Sequence, residues 1–452
     1  MIGRQALAWL AAGACTMLAV PAWAEGAPAP AGLVNPAQLA REHLARRIMA
    51  RPELQASLRR TAAAYAADPA MRIPGAKANR DRAARAIALA AVYYAIGLAL
   101  DPGQPQLFWC CKAPQKLGRL GVGGSGYGID NPDNVYRMTH VDGGSRYVIR
   151  GQMRSDRPAQ LHLEVRDAIP GTTAMNAEGG TQLATLRDDA LQIGADGRFV
   201  ITIDSDPANG RPNHLQVPAS GVHHVIVRDL LTDWEHQLPI PLTIERVGGP
   251  DLPRRSEAEL AHSAAVLLDR IAPFWLDYDN RFIFSRPVNT LAPARLRPGG
   301  RGISASGHFA LGRAELLLIT VDPLGAASFG IQLTDPWGVA YDYIGRTSSL
   351  NQRQARANPD GTLTVAIGQQ DPGFANWLDP SGQAGGIVTL RWQGLPATAD
   401  PTRAIRAVEV VTRDTLRRRG PDPGLWLAPG QRAAQRAARR QSHEHRKAVP
   451  LG

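Results

Sequence analysis

Cysteine is scarce in this chain: three in 452 residues, at positions 15, 110 and 111. That excludes a disulfide framework, and the adjacent pair Cys110-Cys111, with no His nearby, does not match the spaced ligand pairs of a zinc site. A G-x-S-x-G nucleophile elbow is also missing, since Ser125 has Gly123 before it but Tyr127 after it. His443 and His445 lie two apart, so on a helix they point to different faces. No metal and no cofactor is expected.

Long apolar runs are nearly absent. The first, Ala6 to about Val20, follows Arg4 and precedes a small-x-small ending at Ala22-Trp23-Ala24, the layout of a secretory signal cleaved near Ala24. It is shorter than the ~20 residues a membrane span needs, and Pro21 ends it. A periplasmic or secreted protein is expected, and Cys15 would leave with the signal. In an oxidising compartment Cys110 and Cys111 join each other or stay free, although adjacent residues form a disulfide only with backbone strain.

The net charge of +11 is concentrated in two segments, 41–85 and 413–447, each contributing +7, so the remainder stands at −3. The Arg-rich stretch RAAQRAARRQSHEHRK (432–447) holds no aromatic residue, which argues against nucleic acid and for a solvated basic helix. Electrostatic contact of this tail with an anionic envelope surface is the partner reading it leaves.

Helical spacing of apolar residues runs from Asn35 to Leu100, and AIALAAVYYAIGLAL (86–100) is apolar on every face, as a buried core helix would be. Strand texture follows: SRYVIRGQM, QLHLEVRD, DGRFVITID and HHVIVRDL, then, after a helix over 256–271 with Ser256 and Glu259 as a capping box, AELLLITVD, SFGIQLTD, DGTLTVAIG and GIVTLRW. The two strand regions repeat one another. Residues 161–167 correspond to 329–335 and 196–203 to 360–367, and Asn213 to Arg228 is the same distance as Asn376 to Arg391. The expected fold is α+β: an N-terminal helical segment, two repeated, mainly antiparallel β-sandwich (jelly-roll-like) modules joined by a helix, and a short C-terminal helix. The boundaries are 1–24 signal peptide, 25–120 helical region, 121–250 first module, 251–300 helical linker, 301–412 second module and 413–452 basic tail.

The stretch GVGGSGYGIDNPDNVYR (121–137) contains G-x-G-x-x-G, but a dinucleotide cradle needs a strand entering the glycines and a helix leaving them. Neither flank qualifies, so the glycines read as a flexible joint, with the chemistry downstream at Asn131, Asp133, Asn134, Tyr136, Arg137 and His140.

DPWGVAYDYIGRTSSLNQRQA (335–355), DGTLTV (360–365) and DPGFANWLDPSGQAGGIVTLRW (371–392) resemble the bacterial family catalogued as domain of unknown function 1214. DNPDNVYRMTHVDGGSRYVIRG (130–151) is similar to the segment that precedes that domain in its longer members. The resemblance implies a β-sandwich, jelly-roll-like fold and brings no established reaction.

Polar and aromatic chemistry concentrates in the second copy at Asp335, Trp337, Asp342, Tyr343, Arg346, Ser349, Asn351, Asn376, Trp377 and Asp379. Arg346 can clamp a carboxylate or phosphate, and Trp337 or Trp377 can stack on a sugar or lipid ring; the alternative is that the Asp and Asn residues fix turns and the Trp residues pack the core. Two functions follow. One is binding of a small lipid-like, terpenoid or glycan ligand in a cleft between the modules; the other is a metal-free hydrolase or lyase with Asp342 or Asp379 as base and Arg346 as anion clamp.

Overall fold

The computed structural model describes residues 32–99, 105–174, 181–297, 299–300, 302–419 and 422–448. The expected signal segment, with Cys15, lies outside them. Among the described residues no helix is long and apolar enough to cross a membrane.

Helix α1 (Pro36–Met49) starts where the Asn35 side chain accepts from the Gln38 amide, with Pro36 in the first turn. It is followed by α2 (Pro52–Ala67) and α3 (Ala76–Leu98). Every residue of α3 from Ala86 to Gly97 is buried, as its all-round apolar surface requires. The fourth wall of this helical layer is α4 (Glu257–Asp279), opened by the Ser256/Glu259 capping box and packed against α2 and α3.

The strands, in chain order, are β1 (Phe108–Cys110), β2 (Gln115–Leu117), β3 (Leu120–Val122), β4 (Asn134–Asp142), β5 (Arg146–Gln152), β6 (Gln160–Arg166), β7 (Gln182–Arg187), β8 (Arg198–Asp204), β9 (His214–Gln216), β10 (Val222–Leu230) and β11 (Leu242–Gly248) before α4. After it come β12 (Arg295–Leu296), β13 (Ile303–Ala310), β14 (Glu315–Val321), β15 (Ser328–Thr334), β16 (Ser349–Asn351), β17 (Leu363–Ile367), β18 (Trp377–Leu378), β19 (Gly385–Gln393) and β20 (Ile405–Thr412). The chain closes with α5 (Arg413–Arg418) and α6 (Gln431–His445).

The first strand set forms a five-stranded sheet, β1-β4-β10-β6-β7, and a four-stranded sheet, β11-β5-β8-β9; the second forms β12-β13-β19-β15-β16 and β18-β17-β14-β20. Strand for strand the orders coincide. Even the one parallel pairing recurs, β8 with β9 and β17 with β18, against antiparallel pairing elsewhere. Each pair of sheets shares an apolar core. Val141, Leu163 and Val225 meet Ile149 and Ile201 in the first set, and Phe309, Ile331 and Leu390 meet Leu317 and Val365 in the second.

One boundary and two segment readings differ from the sequence expectation. The helical region ends at α3, and β1 already belongs to the first set because it pairs with β4. The glycine stretch is no open joint: Leu120–Val122 forms an antiparallel hairpin with Gln115–Leu117, and buried Ser125 donates its amide to the Lys112 carbonyl at 2.9 Å. The basic tail is not solvated along its length either, because α6 docks on the loops of both strand sets.

Candidate functional site

Alternation along the central strands builds a cavity between the two sets. Val225 and Val227 of β10 enter the first core, so His224, Ile226 and Arg228 face the other way. Asn134, Tyr136 and Met138 of β4 and Gln160, His162 and Arg166 of β6 share that outer face. Across the gap stand Ser304 and Ser306 of β13 and Thr389, Arg391 and Gln393 of β19, whose neighbours Val388, Leu390 and Trp392 fill the second core. The remaining wall is aromatic. Tyr127 meets Tyr94 and Trp275 edge-on at 6.4 and 5.8 Å between centroids, and Trp275 meets Tyr278 at 5.1 Å. The cavity is partly open, with a volume of about 230 Å³, somewhat below the ~300 Å³ at which ligand pockets usually begin.

The two arginines occupy equivalent places. Arg228 lies opposite Tyr136 and His162 in its sheet, and Arg391 lies opposite Ser304 and Gly330 in its own. Their partners differ in charge. Arg228 is ion-paired with fully buried Glu164, which also pairs with Arg166. At the position matching Glu164 the second set has Gln332, and Arg391 Nη1 donates to its Oε1 at 2.6 Å and, through Nη2, to the Ile129 carbonyl. The hydrogen bond is kept while the counter-charge is removed. Among the described residues Arg391 makes no ion pair, and burial lowers its pKa from the usual guanidinium value, with Arg297 adding to that effect and Tyr136, Asp130 and Asp133 opposing it.

Gly330 takes the place of His162 because of a close approach: a Cβ there would lie 2.5 Å from Asp133 Oδ2. That carboxylate ties the sets together, its Oδ1 accepting from Trp234 Nε1 at 2.9 Å and from Asn351 Nδ2 at 2.8 Å. Burial raises the Asp133 pKa, and these two donors hold it back.

Two acceptor atoms at the cavity have no hydrogen-bond partner among the described residues: Asn134 Oδ1 and Asp130 Oδ1, on residues each only 8% exposed. Burial pushes the Asp130 carboxyl up to about 7; Arg391 and Arg82 pull it back and Asp335 adds to the rise. Gly126 leaves room for it, since a Cβ there would sit 2.7 Å from Asp130 Oδ1. At the rear, His224 Nδ1 meets His140 Nε2 at 3.2 Å, and burial lowers both imidazoles, His140 to about 3, so that both are neutral.

A second cavity, of about 430 Å³, lies on the other side of Asp130 and the glycine stretch. Its wall carries the buried Lys112 ammonium, bonded to Glu42 Oε1 at 2.9 Å, the Tyr93 hydroxyl at 3.1 Å and the Trp109 carbonyl at 3.0 Å. That cluster is internally satisfied.

The site residues expected from sequence do not assemble into one place. Asn134 and Tyr136 line the first cavity and Tyr343 the second. Asn131 caps the adjoining turn, its Oδ1 accepting from the Asp133 amide at 3.1 Å. Arg137 points away from the cavity into a buried pair with Asp229 at 2.6 Å. Trp337 packs on Tyr65, centroids 4.8 Å apart, and donates to the Ala76 carbonyl, while Asp335, pushed up to about 6 by burial, pairs with Arg82. Asn376 pins a loop, bonding Arg356 O at 2.7 Å, Thr364 O at 2.9 Å and Arg356 N at 2.8 Å.

The proposed catalytic trio separates likewise. Exposed Asp342 closes a turn on the amides of Ile344 and Gly345. Arg346 reaches Asp379 at 2.9 Å, and Asp379 is also held by Arg436 at 3.1 Å. Neither carboxylate adjoins either cavity. The surrounding polar cluster is instead the seat of α6. Arg439 bonds Ser349 Oγ and the Tyr343 carbonyl, Arg432 and Arg436 lie over Trp377 at 5.1 and 5.9 Å, and Arg439 and Arg446 each lie 4.4 Å from the Trp234 ring. Among the described residues no group of three or more His, Cys, Asp or Glu side chains is placed to hold a metal ion.

Arg228, Arg391 and Asp130 were the residues to single out. The two arginines close the repeated segment in both copies, a landmark in the register, and Asp130 sits inside the glycine stretch.

The architecture has a solved counterpart. The crystal structure of an uncharacterized protein from Burkholderia cenocepacia superposes with a TM-score of 0.65 at 23% identity, over 82% of this chain and 99% of that one. A weaker likeness, TM-score 0.38 at 10% identity over 63% of this chain and 90% of the other, is to the VPA0106 protein of Vibrio parahaemolyticus. No curated protein matches the sequence. Residues 339–395, from the turn after β15 to just beyond β19, match the family described as "Protein of unknown function (DUF1214)".

Proposed function

We propose that the protein binds a small amphipathic anion, a lipid-like or terpenoid acid or an acidic sugar, in the cleft between two copies of one β-sandwich module. The observation that carries this reading is Arg391, a half-buried guanidinium at the cavity whose structural partner is the neutral Gln332 where the first copy has Glu164. A half-buried cation that makes no ion pair among the described residues favours an anionic ligand, because removing its charge from water without a direct partner is costly. The aromatic wall of Tyr94, Tyr127, Trp275 and Tyr278 supplies the apolar half of the site, and the free acceptor of Asn134 suits a ligand hydroxyl.

Envelope location belongs to the same reading and rests on the N-terminal sequence alone. Contact of the C-terminal segment with an anionic envelope surface would use Arg413, Arg417, Arg418 and Arg440, which are exposed, since Arg432, Arg436, Arg439 and Arg446 are engaged within the protein.

The test is equilibrium binding of naphthalene-2-sulfonate against neutral 2-naphthol. The sulfonate is expected to bind at least tenfold tighter, a difference of about 1.4 kcal/mol; equal affinity removes the anion site. A second reading, a metal-free hydrolase or lyase, is favoured by one observation: Asp130, raised to about 7, borders the same cavity as Arg391. Its base is then Asp130 rather than Asp342 or Asp379, and its clamp Arg391 rather than Arg346. Mass spectrometry of small molecules retained by the natively purified protein separates the two, since a binder carries its ligand intact and an enzyme carries product.

A further inference from the structure

Cys110 ends β1, and Cys111 follows it with φ of 48°. Successive side chains of an extended strand point to opposite faces, so a regular backbone would carry the two thiols apart. The left-handed conformation at Cys111, uncommon and costly for a residue with a Cβ, brings the two sulfurs to 3.4 Å instead. Both residues line the cavity, Cys110 buried and Cys111 half-buried. Cys110 Sγ is 3.6 Å from the Tyr136 carbonyl, while neighbouring Lys112 turns away toward Glu42. Local strain is thus spent on pairing two thiols at a wall that a small molecule can reach.

We propose that Cys110 and Cys111 form a reversible vicinal disulfide in the wall of the cavity. The oxidant is a low-molecular-weight disulfide such as oxidised glutathione. One thiolate attacks an external sulfur and expels the first small thiol; the neighbouring thiolate then attacks the protein-bound sulfur of the mixed disulfide and expels the second. Protein dithiol and one external disulfide become protein disulfide and two thiols: two electrons leave the cysteine sulfurs, and their two protons end on the released thiols. Adjacent Cα atoms stand about 3.8 Å apart, below the ~4.4–6.8 Å that disulfides normally span, so the closed form stores strain and is easily reduced again. That makes the pair a redox-responsive modification site and not a structural bridge. The bond stands or falls independently of the ligand reading, although any effect it has on a bound anion rests on that reading.

The full-length protein is equilibrated across ratios of oxidised to reduced glutathione, quenched in acid and alkylated, and the tryptic peptide ending at Lys112 is weighed. The expected result is a peptide lighter than the dithiol by two hydrogens and without alkyl groups at oxidising ratios, switching to the doubly alkylated form at reducing ratios, and a glutathione adduct in place of the ring in Cys111→Ser. A dithiol that persists at every ratio overturns the proposal, as does a stable glutathione adduct of the wild type. Naphthalene-2-sulfonate binding on the same samples reports separately on the cavity: its failure in both redox states counts against the anion site and leaves the disulfide result intact.

Discussion

Arg228 and Arg391 stand at matching positions on the central strands of the two sheet pairs and converge on one cavity, yet the first is neutralised by Glu164 and the second is held by Gln332. Restoring the first pattern in the second is the corresponding experiment. Gln332→Glu places a carboxylate on Arg391 and is expected to weaken naphthalene-2-sulfonate binding at least tenfold, about 1.4 kcal/mol, in an equilibrium titration with the circular dichroism unchanged. Undiminished binding would show that the anion does not use Arg391.

Asp130 makes both binding and stability depend on pH. Its folded-state pKa of about 7 is above the unfolded value of about 3.9, so the folded protein holds the extra proton between those limits, and this contribution to stability is lost as pH rises toward 7 and beyond. The full effect is at most about 4 kcal/mol. Asp130→Asn is expected to flatten thermal stability between about pH 4 and 7 and to raise it at pH 8 relative to wild type. Anion affinity should fall as Asp130 ionises beside Arg391, and the variant should remove that fall. A wild-type profile already flat over this window contradicts the assignment.

Asn213 and Asn376 do the same structural work in the two copies. Asn213 bonds the Gln192 carbonyl and amide, each at 2.8 Å, just as Asn376 bonds those of Arg356. Either residue changed to Ala strands loop groups in the interior and should cost about 1–3 kcal/mol in urea unfolding. Sulfonate affinity should not change in either variant.

Helix α6 is part of the fold. Arg439 lies over Trp234 and bonds Gln354 Oε1 at 2.9 Å, so Arg439→Ala is expected to destabilise by about 2–4 kcal/mol and to alter tryptophan fluorescence. A variant as stable as wild type would mean that the helix is only loosely seated.

Much of the fold was legible because periodicity reports burial directly: α3 could only be an interior helix, and the repeated strand grammar predicted two equivalent sheet pairs. The site was less legible. Asp379, Arg346, Ser349 and Trp377 cluster in sequence as a site would, but what they receive is α6, and a contact between residues some sixty to ninety positions apart leaves no mark on local pattern. Asn376 and Asp342 took the turn-fixing alternative weighed for them. The difference that gives the cavity its charge, Glu164 against Gln332, was present in the aligned copies; its meaning depended on knowing that both outer faces meet the same space.

The most direct test is a calorimetric titration of naphthalene-2-sulfonate into the wild type, Arg391→Ala and Arg346→Ala. Arg391→Ala is expected to lose at least tenfold in affinity, while Arg346→Ala, which alters only the exposed partner of Asp379, binds as wild type does. Loss of binding in Arg346→Ala with Arg391→Ala unaffected would contradict the account and return the site to the loops beneath α6.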